Sequence, residues 1–110
     1  MAIYANITVD QGSDYISTID VEDVNGDAAD LNGYSSRGQI RKTYSSLTSY
    51  DFITSIIKPN DGKIQITLPN ETTSIMKAGR YVYDVEVVNS DGTVTRVIEG
   101  QLEITPSVTR

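Results

Sequence analysis

The sequence predicts an all-β domain, a sandwich or a barrel, and three observations predict it. Thr, Val, Ile and Tyr are abundant, and these residues suit the pleated, half-buried surface of a strand. Turn signals recur at short intervals, at Asn25-Gly26, Asn32-Gly33, Asn60-Asp61-Gly62 and Asp91-Gly92. Between the last two pairs, Ile64, Ile66 and Leu68 alternate with Lys63, Gln65 and Thr67, the period of a strand with one buried face. The length, 110 residues, is that of one domain, expected to span 1–110 and to bury enough surface to fold without cross-links.

Taken in order, a first strand is expected over Ile3 to Val9, with Ile3, Ala5, Ile7 and Val9 on one face, broken by Gln11 to Asp14. Tyr15 to Val21 is a second strand, or the first continued after a change of sheet. Glu22 to Asn32 is a polar loop. A longer strand runs from Gly33 to about Tyr44 around Ile40, and another from Asp51 to Ile57, with Phe52 and one of Ile56 or Ile57 inward. Pro69 to Gly79 carries the helical signal: Asn70 as N-cap, Glu71 in the first turn, Lys77 in the last, Gly79 at C′, and Ile75 and Met76 as apolar anchors. Arg80 to Val88 and Thr93 to Ile104 form a hairpin around Asn89-Ser90-Asp91-Gly92, with Tyr81, Tyr83, Val85 and Val87 on one face. Gly100 interrupts the second arm and predicts a bulge or a close backbone approach.

The composition narrows the chemistry. With no cysteine there is no disulfide or thiolate, and with no histidine no Ser-His-Asp arrangement and no zinc site of the usual kinds. A net charge of −6 disfavours nucleic acid and anionic membrane surfaces. Met1 to Asp10 lacks a basic n-region and an apolar h-region, so synthesis and folding in the cytosol of the producing cell are expected. The acidic run Asp20 to Asp27 resembles a calcium loop but fails on spacing: counted from Asp23, Ala28 falls where the glycine belongs and Tyr34 where the bidentate glutamate belongs. No catalytic residue, cofactor or metal is therefore expected. Arg37, Arg41 and Lys42 form the one local basic cluster, expected to balance a neighbouring acidic strand through cross-strand pairs, with docking of an acidic partner as the other reading. Seven tyrosines are more than such a core holds, and those left partly exposed suit a protein-binding surface.

The run Gly62 to Leu68, the stretch Met76-Lys-Ala-Gly-Arg-Tyr-Val-Tyr-Asp-Val85, then Asp91-Gly-Thr-Val-Thr-Arg96, Glu99-Gly100 and Thr105-Pro-Ser-Val-Thr109 resemble small Ig-like structural proteins of tailed bacteriophages. Gln11-Gly12, Asp30-Leu31-Asn32-Gly33-Tyr34 and Gly38-Gln39-Ile40-Arg41-Lys42 extend the resemblance over nearly the whole chain. It is similar to the N-terminal domain of phage baseplate upper proteins and to short virion proteins of cyanobacterial myophages. The resemblance implies an Ig-like β-sandwich of seven or eight strands with one short helix or helical turn, located in the virion. It further implies docking in multiple copies on larger virion proteins and on symmetric copies of itself, as capsid decoration or as a tail, neck or baseplate component. A carbohydrate-binding module for host adhesion is the alternative, disfavoured by the lack of Trp and the single Phe.

The expected docking element is the first strand, uncharged and without proline, an unprotected edge open to strand addition. Ile3, Tyr4, Ile7 and Val9 are its candidate residues, with Tyr4 as an anchor. Arg110 at the polar C-terminal segment is a candidate for a second neighbour, and Arg37, Arg41 and Lys42 form the alternative face.

Overall fold

The structure, a computed structural model, describes residues 2–109. Its strands are β1 (Ile3–Tyr4), β2 (Ile7–Asp10), β3 (Tyr15–Asp20), β4 (Ser35–Arg41), β5 (Tyr50–Asp51), β6 (Ile53–Lys58), β7 (Lys63–Leu68), β8 (Gly79–Val88) and β9 (Val94–Thr105). A 3-10 turn, Pro59–Asp61, and a helix, α1 (Asn70–Ile75), complete the regular structure. One sheet has the order β1–β9–β8–β4–β5, with β2 beside β1 along β9; the other has the order β3–β7–β6. β1 and β2 run parallel to β9, and all other pairs are antiparallel. This is an all-β sandwich with the sheet composition of the immunoglobulin type: β3, β7 and β6 stand as its B, E and D strands, and β4, β8 and β9 as C, F and G. Its buried residues form one cluster, from Val9 and Ile19 through Ile40, Phe52, Ile64, Ile66 and Leu68 to Val85, Leu102 and Ile104.

The chain changes sheet four times, after β2, β3, β5 and β7. After β2 it turns at Gln11–Asp14 and enters the other sheet as β3, as the second reading of Tyr15 to Val21 expected. After β5 it crosses at Phe52, whose N–H donates to the Gly38 carbonyl and whose ring packs edge-on to Tyr83 with centroids 5.9 Å apart. Gly38 is closely packed there: a Cβ would stand 3.0 Å from Val85 and 3.1 Å from the Phe52 ring, so these side chains would have to give way to admit one. Counting β1–β2 and β5–β6 each as one interrupted strand gives seven lines of chain among the described residues.

Several local expectations are corrected. The first strand is broken at Ala5–Asn6. There the Ala5 carbonyl turns inward and accepts a 2.6 Å hydrogen bond from the Tyr83 hydroxyl. The Gln101 N–H instead donates to the Asn6 side chain, which stands in for a backbone acceptor. Gly100 lies opposite, so close to Ala5 that any Cβ would collide with its carbonyl, the close approach that its place in β9 predicted. The strand expected from Gly33 to Tyr44 is confined to β4, because Thr43–Ser46 closes a turn.

At the helix, Pro69 and not Asn70 holds the N-cap position. The Asn70 N–H is satisfied by Asp14 across the fold, at 2.7 Å. Ile75 is exposed; Thr73 and Met76 are the buried anchors. The Thr73 hydroxyl donates to the Ser13 carbonyl and accepts from the Gly12 N–H. Gly79 has a positive φ of 139° as expected, but it opens β8 and does not close α1, whose C-cap Met76 is extended. At the start of β8 the Tyr81 hydroxyl donates back to the Lys77 carbonyl, 2.7 Å away, the tyrosine corner of this class of sandwich.

Two outcomes test the Ala5 seat. Gly100→Ala is expected to destabilise the fold by about 1–3 kcal/mol in denaturant melts, because backbone must move to admit the methyl. Burial and hydrogen bonding set the second. Desolvation, followed by the charges of Tyr15 and Tyr4, pushes the Tyr83 phenol up from 10.0 to about 12. The raised value means that the unfolded chain loses this proton first as pH rises. Stability from Tyr83 is therefore complete below pH 10 and is lost as pH approaches 12. Tyr83→Phe should abolish that loss at the cost of about 1 kcal/mol at neutral pH for the missing hydrogen bond.

Candidate docking surface

The outer side of β1 and β2 forms one edge of the larger sheet, with no further strand beyond it among the described residues. Ile3 and Tyr4 are 47% and 63% exposed on it. Ile7 and Val9 are corrected as docking side chains: Ile7 is half-buried against the core and Val9 is 3% exposed, so both face inward and β2 offers a partner its backbone edge. The break at Ala5–Asn6 also corrects the view of an unprotected edge, since it cuts a long strand into segments of two and four residues. Arg110 lies outside the described residues.

The basic cluster is divided. Arg37 and Arg41 project from the outer face of β4, as alternation requires. Arg37 Nε pairs with Glu86 at 2.9 Å, directly across the ladder, the cross-strand balance expected of it. Arg41 donates to the Ser46 carbonyl at 2.6 Å and to Gln39 at 3.0 Å. Lys42 lies over the Tyr81 ring, 4.8 Å from its centroid. Between them the outer face of the sheet carries Asp84, held by Arg96 at 3.3 Å, with Glu99 on the same arginine. Burial raises the Asp84 carboxyl, Arg96 opposes the rise, and Glu86 and Glu99 add to it. This face is a lattice of mutually satisfied charges, which docks a partner only by breaking pairs.

Two apolar residues in polar loops emerge that the sequence reading did not single out. Val24 is 99% exposed in the loop after β3, and Leu47 is 98% exposed in the loop after β4. Val24 borders a groove of ≈ 380 Å³ formed with Ile3, Val21 and Val97 and edged by Glu22 and Asp23. The only signal for either was an isolated hydrophobe between turn residues.

In the acidic run, the Asp23 carboxylate accepts the N–H groups of Asn25 and Asp27, which makes it a turn-former. Among the described residues no group of three or more carboxylates is arranged to hold a metal ion.

No known sequence family and no curated protein matches the chain. Among solved structures it is similar to a family 123 glycoside hydrolase from Clostridium perfringens, the subject of a structural analysis of glycolipid glycan hydrolysis. The identity is 15% and the TM-score 0.44, over 97% of this chain and 24% of that one. The chain thus corresponds to a small part of that enzyme's length, and a likeness of this size transfers neither residues nor chemistry.

Millimolar calcium, or a chelator, is expected to leave the melting temperature unchanged, since Asp23 is committed to its turn. A rise of several degrees with calcium would assign a site to Asp20–Asp27.

Proposed function

We propose that the chain is a non-enzymatic structural domain of a phage virion. It docks in multiple copies on larger virion proteins through the outer edge of β1 and β2. The observation that carries this reading is an open sheet edge, bearing exposed Ile3 and Tyr4, on a segment fixed to the core by the Tyr83–Ala5 hydrogen bond. A free edge of this kind pairs with an added strand, whose main-chain hydrogen bonds supply affinity. An anchored edge meets its partner in one conformation and pays little ordering entropy on docking. The sequence resemblance to Ig-like virion proteins supports the same reading, and the sandwich has the topology that the resemblance implied.

Deleting the first nine residues would remove Val9 from the core and the Ala5 acceptor from Tyr83, so it would probe folding and not docking. Lysines on the edge are the cleaner probe. Tyr4→Lys with Thr8→Lys changes two exposed side chains and introduces the charges by which natural sheets block edge pairing. The double variant should fold with wild-type stability and be lost from assembled particles. Incorporation at wild-type occupancy would overturn the edge as the docking element, and binding of the wild type to host glycans without incorporation would favour the adhesion module instead. Copy number relative to the major capsid protein assigns the place in the particle.

A further inference from the structure

Val24 and Leu47, the two most exposed hydrophobes among the described residues, lie toward opposite ends of the sandwich. Arg41 pairs with Val82 near the start of β8, which places the loop that follows, residues 42–49, at that end. The groove flanked by Val24 follows Asp20, which pairs with Lys63 at the start of β7. β7 then runs to the end of its sheet from which α1 leads into β8, so the groove and the Leu47 loop lie toward opposite ends of the strands.

The ends are complementary in shape. Leu47 stands on a braced loop. The Ser46 N–H donates to the Thr43 carbonyl, the Thr43 N–H donates to the Ser46 hydroxyl, and Arg41 holds the Ser46 carbonyl at 2.6 Å. The loop thus presents the isobutyl group of Leu47 among Ser and Thr, with Tyr44 exposed three residues before it. At the other end, the groove is lined by Ile3, Val21 and Val97 with Glu22 and Asp23, Val24 stands fully exposed at its border, and its volume is ≈ 380 Å³. An enclosed apolar cavity of about 150 Å³ holds a benzene-sized group, so a branched aliphatic side chain fits this open one with room for its neighbours.

The ends are also complementary in charge. Residues 41–49 contain Arg41 and Lys42 and no acid. Residues 20–30 contain Asp20, Glu22, Asp23, Asp27 and Asp30 and no base. Of these acids Asp20 is paired internally, with Lys63 at 2.6 Å, while Glu22 and Asp23 stand at the rim of the groove.

We propose that copies of this chain join head to tail, with Leu47 of one copy seated in the groove beside Val24 of the next. Lys42 then faces Glu22 across the contact, while Arg41 keeps its bonds to Ser46 and Gln39 and Asp23 keeps its turn. Such an interface uses two different patches, so it propagates into a ring or a filament and not a closed pair. It rests on and deepens the reading of the chain as a multi-copy assembly protein, and its groove shares Ile3 with the edge of β1 while leaving the edge of β2 free.

The test uses the purified full-length chain in sedimentation velocity. Wild type should associate with rising concentration, through dimers to longer species. Leu47→Asp removes the knob but keeps the groove; Val24→Asp spoils the groove but keeps the knob. Both positions are nearly fully exposed, so circular dichroism and melting should match wild type. Each variant alone should remain monomeric. Their equimolar mixture should form heterodimers and nothing longer, because only one competent contact can form between them. A wild type that stays monomeric at millimolar concentration would overturn the proposal. So would either variant associating like wild type, or a mixture that forms no heterodimer. None of these outcomes bears on the edge variant Tyr4→Lys with Thr8→Lys, whose particle incorporation tests the virion reading by itself.

Discussion

The hydroxyl of Tyr83 needs an acceptor, and the arrangement of the sandwich's first strand follows from where it finds one. A tyrosine turned into the core gains its burial only if the phenol is satisfied. Here the Ala5 carbonyl is the acceptor. That carbonyl can reach the phenol only by leaving the ladder, so the first strand breaks, and Asn6 repairs the lost ladder bond to Gln101 with its side chain. It can reach only if the opposing residue has no side chain, so position 100 is glycine. Sequence, pairing and packing meet in one contact between residues 78 positions apart.

The neighbouring tyrosine fastens the start of β8 in the same way. Tyr81 points into the core two residues before Tyr83 and spends its hydroxyl on Lys77, fixing the crossover from α1 into β8. The crossover is fastened again by the turn between β2 and β3, where Gln11, Gly12, Ser13 and Asp14 bond Met76, Thr73 and Asn70. Both places where the chain joins the sheets near this end are therefore held by hydrogen bonds, most of them part-buried and the Asp14–Asn70 bond exposed. The surfaces available to partners include an edge that is pinned but open, a charged face largely paired within itself, the outer face of the smaller sheet with exposed Ile16 and Ile53, and the two loops that carry Val24 and Leu47.

The alternating runs were legible in the sequence because strand periodicity is local. Ile64, Ile66 and Leu68 are buried as their spacing required, as are Tyr81, Tyr83, Val85 and Val87. Gly100 was legible as a close approach, but the chain that approaches was not, since nothing near it in sequence names Ala5. The start of α1 was misread because its first N–H is capped from Asp14, more than fifty residues away, whereas local rules look only to Asn70. Val9 was read as part of an exposed edge because apolar content cannot say which side of a strand a sheet will cover. For the surface residues, Arg37 was legible as a cross-strand partner of an acid. Val24 and Leu47 were not, because a lone hydrophobe in a loop becomes informative only when the fold shows what lies opposite.

The central claim is that the N-terminal segment is an integral strand of the sandwich, anchored through Ala5, and so presents a fixed edge. Native-state hydrogen exchange tests it residue by residue, because opening free energies separate frayed segments from the cooperative core. The Ala5 amide bonds the Glu99 carbonyl and the Gln101 amide bonds Asn6, so both report on the seat. The account predicts that these two amides exchange only with global unfolding, at the same free energy as the β8–β9 ladder around Val85 and Leu102. Exchange of Ala5 and Gln101 by a separate, low-energy opening, with that ladder still fully protected, would contradict it.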